Sequence, residues 1–82
     1  MIKVLEVRPT ADLILELKFS NGETAHFKGV DYLAQRAGTL LEPLRQATYF
    51  RQCFIDAGAL CWPNGLELSG ERVFELSEVL VR

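Results

Sequence analysis

Few side chains in this sequence have the types and spacing that catalysis or metal binding requires. The single histidine, His26, has Thr24 and Lys28 as its predicted neighbours on one strand face, and neither can orient or activate an imidazole. Cys53 and Cys61 are separated by seven residues, which matches no common zinc spacing. We therefore predict no metal site and no cofactor, and we interpret His26 as a solvated strand residue.

Three carboxylates lie near Cys61 in the sequence: Asp56, Glu67 and Glu71. Their spacing neither fixes their mutual distances nor separates their pKa values, as a general acid and base would require. The chain has no glycine-rich phosphate loop and no Gly-x-Ser-x-Gly elbow, so phosphoryl transfer and serine hydrolysis have no local support. These observations favour a binding protein over an enzyme.

The most distinctive segment is Trp-Pro-Asn-Gly at residues 62–65. Trp62 is expected to be extended because proline follows it, and the Asn-Gly pair tolerates left-handed backbone. One interpretation is structural, with Trp62 in the core and Asn64 bonded within its own turn. The other makes the segment the rim of a ligand or partner site, because aromatic anchors dominate interface energetics. The binding set predicted by this interpretation is Trp62, Asn64, Glu67 and Asp56.

Composition limits the classes of protein that the chain can represent. Its 82 residues are enough for one domain, predicted as 1–82, and the hydrophobic fraction of 49% is typical of a globular protein. Nine Lys and Arg stand against eleven Asp and Glu, with no run of three basic residues, so nucleic-acid binding lacks its main driving force. No signal peptide or long apolar span is visible. We expect a cytoplasmic protein with no membrane contact.

The first part of the chain predicts three strands, at residues 2–7, 13–19 and 23–28. The first is rich in aliphatic residues and is expected to end at Pro9, which has no N–H for a ladder. The other two alternate apolar and polar residues, as strands with one buried face do.

The loop at residues 20–22 determines how the second and third strands pair. A two-residue loop would place Leu17 opposite His26. A three-residue loop with left-handed Gly22 places Leu17 opposite Ala25 and keeps both apolar faces on one side. We predict the three-residue loop.

A short amphipathic helix is predicted after Gly29. Val30, Leu33, Ala34 and Ala37 recur at helical spacing, and Gly38 can end the helix.

The irregular segment that follows contains two short helical turns. Pro43 suits the first turn of one, and Thr48 could cap the other. The expected core contacts of this segment are Leu40, Leu41, Leu44 and Phe50.

A second hairpin is predicted from strands at residues 53–55 and 59–62 around a loop at 56–58. With this three-residue loop Cys53 would lie opposite Cys61, close enough in principle for a cross-strand bridge. Buried free thiols are the preferred interpretation, because the expected compartment is reducing.

The end of the chain predicts a helix over residues 69–81. Val73, Leu76 and Leu80 have helical spacing, Ser69 is a candidate cap, and Glu71 lies in the first turn. The expected fold is therefore α+β, with two antiparallel β-hairpins plus an N-terminal strand in a mixed or antiparallel sheet, short central helices, and a C-terminal helix packed on the sheet.

Several segments together resemble a known family. In order along residues 2–76 they are Phe19-Ser20-Asn21-Gly22-Glu23 with Phe27, Pro43-Leu44-Arg45, Phe50, Ile55-Asp56, and Trp62-Pro63-Asn64-Gly65 with Glu67-Leu68. The set is similar to the bacterial domain of unknown function 2442 family. The chain departs from that family at Glu67, where aspartate is usual, and at Gly70, where proline is frequent.

The resemblance implies an α+β domain with antiparallel strands and no established activity. It also implies a domain found alone or joined to a C-terminal helix-turn-helix domain, and we expect none here because only Arg82 follows the predicted helix.

Three hypotheses of function follow. The leading one is a protein-interaction or regulatory module, either a homodimer or the antitoxin-like member of a two-protein bacterial system. The second is a small-ligand binder or enzyme that uses Cys61, Asp56 and Glu67 around Trp62. The third, direct nucleic-acid binding, is not expected from the charge.

Overall fold

The computed structural model describes residues 1–80 and has an α+β architecture. The strands are β1 Val4–Ala11, β2 Ile14–Phe19, β3 Thr24–Lys28, β4 Phe54–Asp56, β5 Ala59–Cys61, β6 Glu67–Leu68 and β7 Glu78–Val79. The helices are α1 Gly29–Leu33, a 3₁₀ turn Glu42–Arg45, α2 Ala47–Phe50 and α3 Gly70–Leu76. One sheet has the order β1-β2-β3-β7 and the other β4-β5-β6. All pairs are antiparallel. The predicted fold class is confirmed.

The first hairpin has the register that alternation predicts. Leu17 pairs with Ala25 and Leu15 pairs with Phe27, and Gly22 is left-handed with φ +86°. The Asn21 side chain accepts a hydrogen bond from the Glu23 backbone N–H at 3.0 Å, which stabilises the turn. The three-residue loop therefore places both apolar faces on the core side, as expected.

Strand β1 does not end before Pro9. It continues to Ala11, and Pro9 pairs with Leu15 of β2. The prediction was wrong because β1 lies at an edge of its sheet, where the N–H that proline lacks does not interrupt a second ladder. Leu13, predicted to begin the next strand, instead lies in the turn with φ +60°.

Helix α1 ends at Leu33, earlier than the stripe of apolar residues predicts, and Val30 is 60% exposed. The Arg45 guanidinium donates to the carbonyls of Leu33 at 3.2 Å and Arg36 at 2.7 Å. The side chain of a distant arginine thus bonds carbonyls at and just beyond the helix end, where intrahelical partners are lacking.

Two details of the central segment differ from prediction. Pro43 lies in the first turn of the 3₁₀ helix, as expected, but α2 begins at Ala47 with Gln46 at the cap position, and Thr48 lies inside the helix. Leu40 is 44% exposed, whereas the other predicted core residues of this segment are buried or partly buried. Its backbone carbonyl, rather than its side chain, makes the tertiary contact.

The second hairpin has a two-residue turn, so Cys53 does not lie opposite Cys61. Phe54 pairs with Cys61, and both cysteines are free thiols. The turn consists of Ala57 with φ +51° and Gly58 with φ +82°. Two successive left-handed residues give a turn whose twist matches that of the strands. The prediction missed it because alanine rarely takes this conformation.

The C-terminal helix is also shorter than predicted. Ser69 caps it by accepting the Arg72 N–H at 3.1 Å, but the helix ends at Leu76 and Ser77 is extended. The Ser77 hydroxyl donates to the Val73 carbonyl at 2.6 Å. The chain then adds β7 to the edge of β3, and the predicted helix end at 81 lies outside the described residues.

Both sheets contribute to one core. Its aromatic centre is a series of neighbouring rings, from Tyr32 to Phe27 at 5.4 Å, to Phe50 at 6.2 Å, and to Trp62 at 5.9 Å between centroids. Because Phe27 is on β3 and Trp62 follows β5, these rings join the two sheets. The smaller sheet thus packs against the larger one through these rings.

None of the helices in residues 1–80 is long and apolar enough to cross a membrane.

Candidate functional site

The smaller sheet has one face toward the core and one toward solvent. Leu60 is fully buried between its partners Ile55 of β4 and Leu68 of β6, and all three belong to or pack against the core. Because side chains alternate along a strand, the neighbouring row of residues must point outward. The register therefore determines which side chains form the solvent face.

That outward row runs from Phe54 through Cys61 to Glu67, with Asp56 two residues along β4 from Phe54. Phe54 is 46% exposed, Cys61 is 5% exposed, and both carboxylates are exposed. We call these four residues the acidic face. They border a shallow cavity of about 220 Å³ that Pro63 and Leu66 of the adjoining turn also line.

Cys61 lies in the middle of the acidic face. Its sulfur lies 3.6 Å from the Glu67 carboxylate and 3.8 Å from the Ala59 carbonyl, and its single S–H can donate to either acceptor. Burial raises the pKa of the Cys61 thiol above its ordinary value, and the negative charges of Glu67 and Asp56 raise it further. The thiol is therefore protonated at neutral pH and is not an activated nucleophile.

Cys53 has no catalytic environment either. Burial raises the pKa of its thiol to about 11. Since reactive cysteines have lowered pKa values, the two thiols resemble structural residues.

Trp62 lies beneath the cavity and is 1% exposed. Its indole Nε1 donates to the Phe50 carbonyl at 3.0 Å, and its ring packs against that of Phe50. A ring so buried supports the cavity from below and offers almost no surface to a partner. The structure therefore places Trp62 with Asp56 and Glu67, but as a supporting residue.

Asn64 does not line the cavity. Its side-chain NH₂ donates to the Leu40 carbonyl at 2.9 Å, and its oxygen accepts the Leu66 N–H at 3.2 Å. Both ends of the amide are used within the fold, where they close the turn and attach it to the central segment. Glu71, on the first turn of α3, is not among the cavity's lining residues either.

A charged cluster on the larger sheet was not predicted. Glu16 lies opposite both Arg8 and His26, with Arg8 Nη2 at 3.0 Å and His26 Nε2 at 3.6 Å from its carboxylate oxygens. The hydrogen bond from Arg8 is the main cause that lowers the pKa of Glu16. His26 thus has a carboxylate neighbour that its own strand did not indicate. The predicted register of Leu17 with Ala25 already places Glu16 opposite His26, so the sequence was enough to predict that these two residues are neighbours.

A second shallow cavity of about 320 Å³ lies beside His26 and Lys28. The Lys28 ammonium bonds the Glu78 carboxylate at 3.0 Å, and this hydrogen bond is the main cause that raises the pKa of Lys28. Lys28 and Glu78 thus neutralise one another, while the Asp31 carboxylate also lines this cavity. Within residues 1–80 no cluster of three or more His, Cys, Asp or Glu side chains is arranged to hold a metal ion.

The fold and the site together define a small α+β domain in which a two-sheet core supports an acidic and partly aromatic surface. The sequence model of the family described as protein of unknown function (DUF2442) matches residues 4–77, so the chain belongs to that family. The predicted resemblance is confirmed. Among curated proteins and among solved structures, no match was found.

Proposed function

We propose that this protein is a protein-interaction module that binds another polypeptide through the acidic face. The observation that carries the proposal is the exposure of Phe54, an aromatic side chain that is almost half exposed beside a cavity. Aromatic residues next to concave surfaces are frequent anchors of protein interfaces. The chemistry of the surrounding groups supports binding more than catalysis, since neither thiol has a lowered pKa.

The support beneath the face also suits binding. Trp62 is fixed by its hydrogen bond to Phe50, and Leu60 is fully buried on the opposite side of the same strands. A rigid surface loses little conformational entropy when a partner docks. Little of the interaction energy between the acidic face and a partner is therefore offset by the entropy cost of ordering the surface.

The finer form of the proposal is a regulatory module of a bacterial, cytoplasmic two-protein system, antitoxin-like in that it acts by binding its partner. A homodimer is the other form of the interaction hypothesis. The net charge of −2 supports a partner that is a protein rather than a nucleic acid.

A photo-crosslinking amino acid at position 54 tests the proposal in cells of the native host. The matched control carries the same amino acid at Val30, which is more exposed than Phe54 but lies on α1. We expect a discrete adduct from position 54 that position 30 does not give, identified by mass spectrometry and then reproduced with the purified partner. The same adducts from both positions, or none from position 54, would contradict the proposal.

A small-ligand binder is the second candidate, and the cavity beside Glu67 and above Trp62 is the observation that favours it. Its volume of about 220 Å³ is below the range of about 300–1,000 Å³ typical of ligand pockets. An enzyme at this site would need a reactive group that the thiols do not supply. A metabolite mixture that raises the melting temperature of the wild type but not of a Glu67→Gln variant would favour this candidate over the first.

A further inference from the structure

We infer that the acidic face binds an arginine or lysine side chain of a partner protein, seated over Cys61 between the carboxylates of Asp56 and Glu67. The inference rests on the proposed interaction function and adds the chemistry that selects the partner. It is argued from the charges, the spacing and the apolar surface of the face.

The carboxylates of the face lack counter-charges. Asp56 and Glu67 make no ion pair within residues 1–80, whereas Glu16 and Glu78 are paired with Arg8 and Lys28 at 3.0 Å. Two exposed carboxylates that make no ion pair give the face a negative potential. A partner with complementary charge would associate faster and in a defined orientation.

The spacing of the face suits a single cationic group. Phe54 and Glu67 are the cross-strand neighbours of Cys61 on its two sides, so the row spans two strand spacings of about 5 Å each. Asp56 is two residues from Phe54, about 7 Å along the strand. The surface above Cys61 is thus within reach of both carboxylates. The Glu67 carboxylate lies 3.6 Å from the Cys61 sulfur, and Asp56 borders the same cavity as both of them.

The apolar part of the face suits the rest of a long basic side chain. The exposed Phe54 ring borders the same cavity as Pro63 and Leu66. Arginine and lysine bury their aliphatic stems on apolar surface while the charged group remains near water, and a cation over an aromatic ring gains further attraction. One side chain can therefore satisfy both the carboxylates and Phe54.

A second copy of the chain does not fit this face in a symmetric contact. A two-fold contact through the face would bring the negatively charged surfaces of the two copies together. Like charges brought together at an interface cost several kcal/mol. The partner indicated by the chemistry is a different protein that presents a basic residue next to an apolar one.

A random dodecapeptide library displayed on phage tests the inference with the intact protein as the target. We expect enriched peptides that carry arginine or lysine beside an apolar residue. Synthetic versions should bind an Asp56→Asn/Glu67→Gln variant at least about tenfold more weakly, because charged hydrogen bonds are lost. A Glu71→Gln/Glu75→Gln variant removes the same charge from α3 and should bind as the wild type does. Thermal melting checks that both variants fold.

The possible outcomes separate the two proposals. Peptides that lack basic residues, or that bind both variants equally while an alanine at position 54 abolishes binding, would overturn the inference and leave the interaction function standing. Failure to enrich any peptide, together with no adduct from the crosslinker at position 54, would overturn both.

Discussion

The indole nitrogen of Trp62 donates to the backbone carbonyl of Phe50 across 3.0 Å, and this bond links the smaller sheet to helix α2. It is a fully buried side-chain hydrogen bond between residues twelve positions apart in the sequence. A buried carbonyl at a helix end needs a partner, and here an indole supplies it. The residue that makes the Trp-Pro-Asn-Gly turn distinctive therefore contributes to the core.

Replacement of Trp62 by alanine should lower the free energy of unfolding by about 3–5 kcal/mol, because a large buried ring leaves a cavity and the Phe50 carbonyl loses its donor. Urea denaturation followed by circular dichroism measures the change. Phe54→Ala, on the exposed face of the same sheet, should cost less than about 1 kcal/mol. Similar losses in the two variants would show that Trp62 is not a core residue.

The second hairpin predicts a stabilising substitution. Ala57 has φ +51° and precedes a left-handed glycine, and asparagine tolerates this conformation better than alanine does. Ala57→Asn should raise the free energy of unfolding by about 0.5–1 kcal/mol, since left-handed backbone costs alanine about 1 kcal/mol. Ala47→Asn, within α2, should destabilise the protein. A loss of stability in Ala57→Asn would mean that the turn does not have this geometry.

The thiols should react slowly with alkylating reagents near neutral pH. Burial raises the pKa of Cys53 to about 11 and, with the charges of Glu67 and Asp56, raises that of Cys61. Glu67→Gln should increase the alkylation rate of Cys61 at a given pH, because one negative neighbour of the thiolate is removed, and Glu71→Gln should leave it unchanged. Rapid labelling of one cysteine in the wild type at pH 7 would instead indicate an activated nucleophile.

The same shifts predict how stability depends on alkaline pH. A thiol whose pKa is raised in the folded state stabilises the fold fully below its unfolded pKa, about 8.5–9, and this contribution is lost as the pH rises. We expect the melting temperature to fall between about pH 9 and 11. A Cys53→Ala variant should show a smaller fall. An equal fall in the wild type and the variant would place the titrating group elsewhere.

The lowered pKa of Glu16 predicts that stability falls as the pH becomes more acidic. The hydrogen bond from Arg8 lowers the pKa of Glu16 in the folded state, so its contribution is present above the unfolded pKa and is lost as the pH falls through the folded value. Melting temperatures between about pH 5 and 3 should fall less steeply in Glu16→Gln than in the wild type. Glu23→Gln provides the matched control, and identical slopes in all three proteins would contradict the prediction.

Periodicity in the sequence was enough to predict the first hairpin. Leu15 and Leu17 alternate with polar residues over a strand long enough that only one register buries both apolar faces. The second hairpin has strands of three residues, and there the register depended on whether Ala57 would adopt a left-handed conformation. Alternation over so few residues cannot decide that.

The acidic face could be predicted only in part. Asp56 and Glu67 were proposed as neighbours of Trp62, and the structure brings all three to one cavity. The exposed position of Phe54 beside them was missed, because β6 has two residues and no periodicity, so the row that joins Phe54 to Glu67 appears only in the folded chain. Asn64 was proposed for binding, but its side-chain amide donates to the Leu40 carbonyl and accepts from the Leu66 N–H.

The most direct test of the interaction function is the affinity of the crosslinked partner, measured by calorimetry with purified proteins. Phe54→Ala should weaken binding by at least about 2 kcal/mol, roughly thirtyfold, as expected for an aromatic anchor at the centre of an interface. Val30→Ala, at a more exposed apolar site on α1, should change the affinity less than about threefold. Equal affinities for the wild type and both variants would show that the partner does not bind through the acidic face.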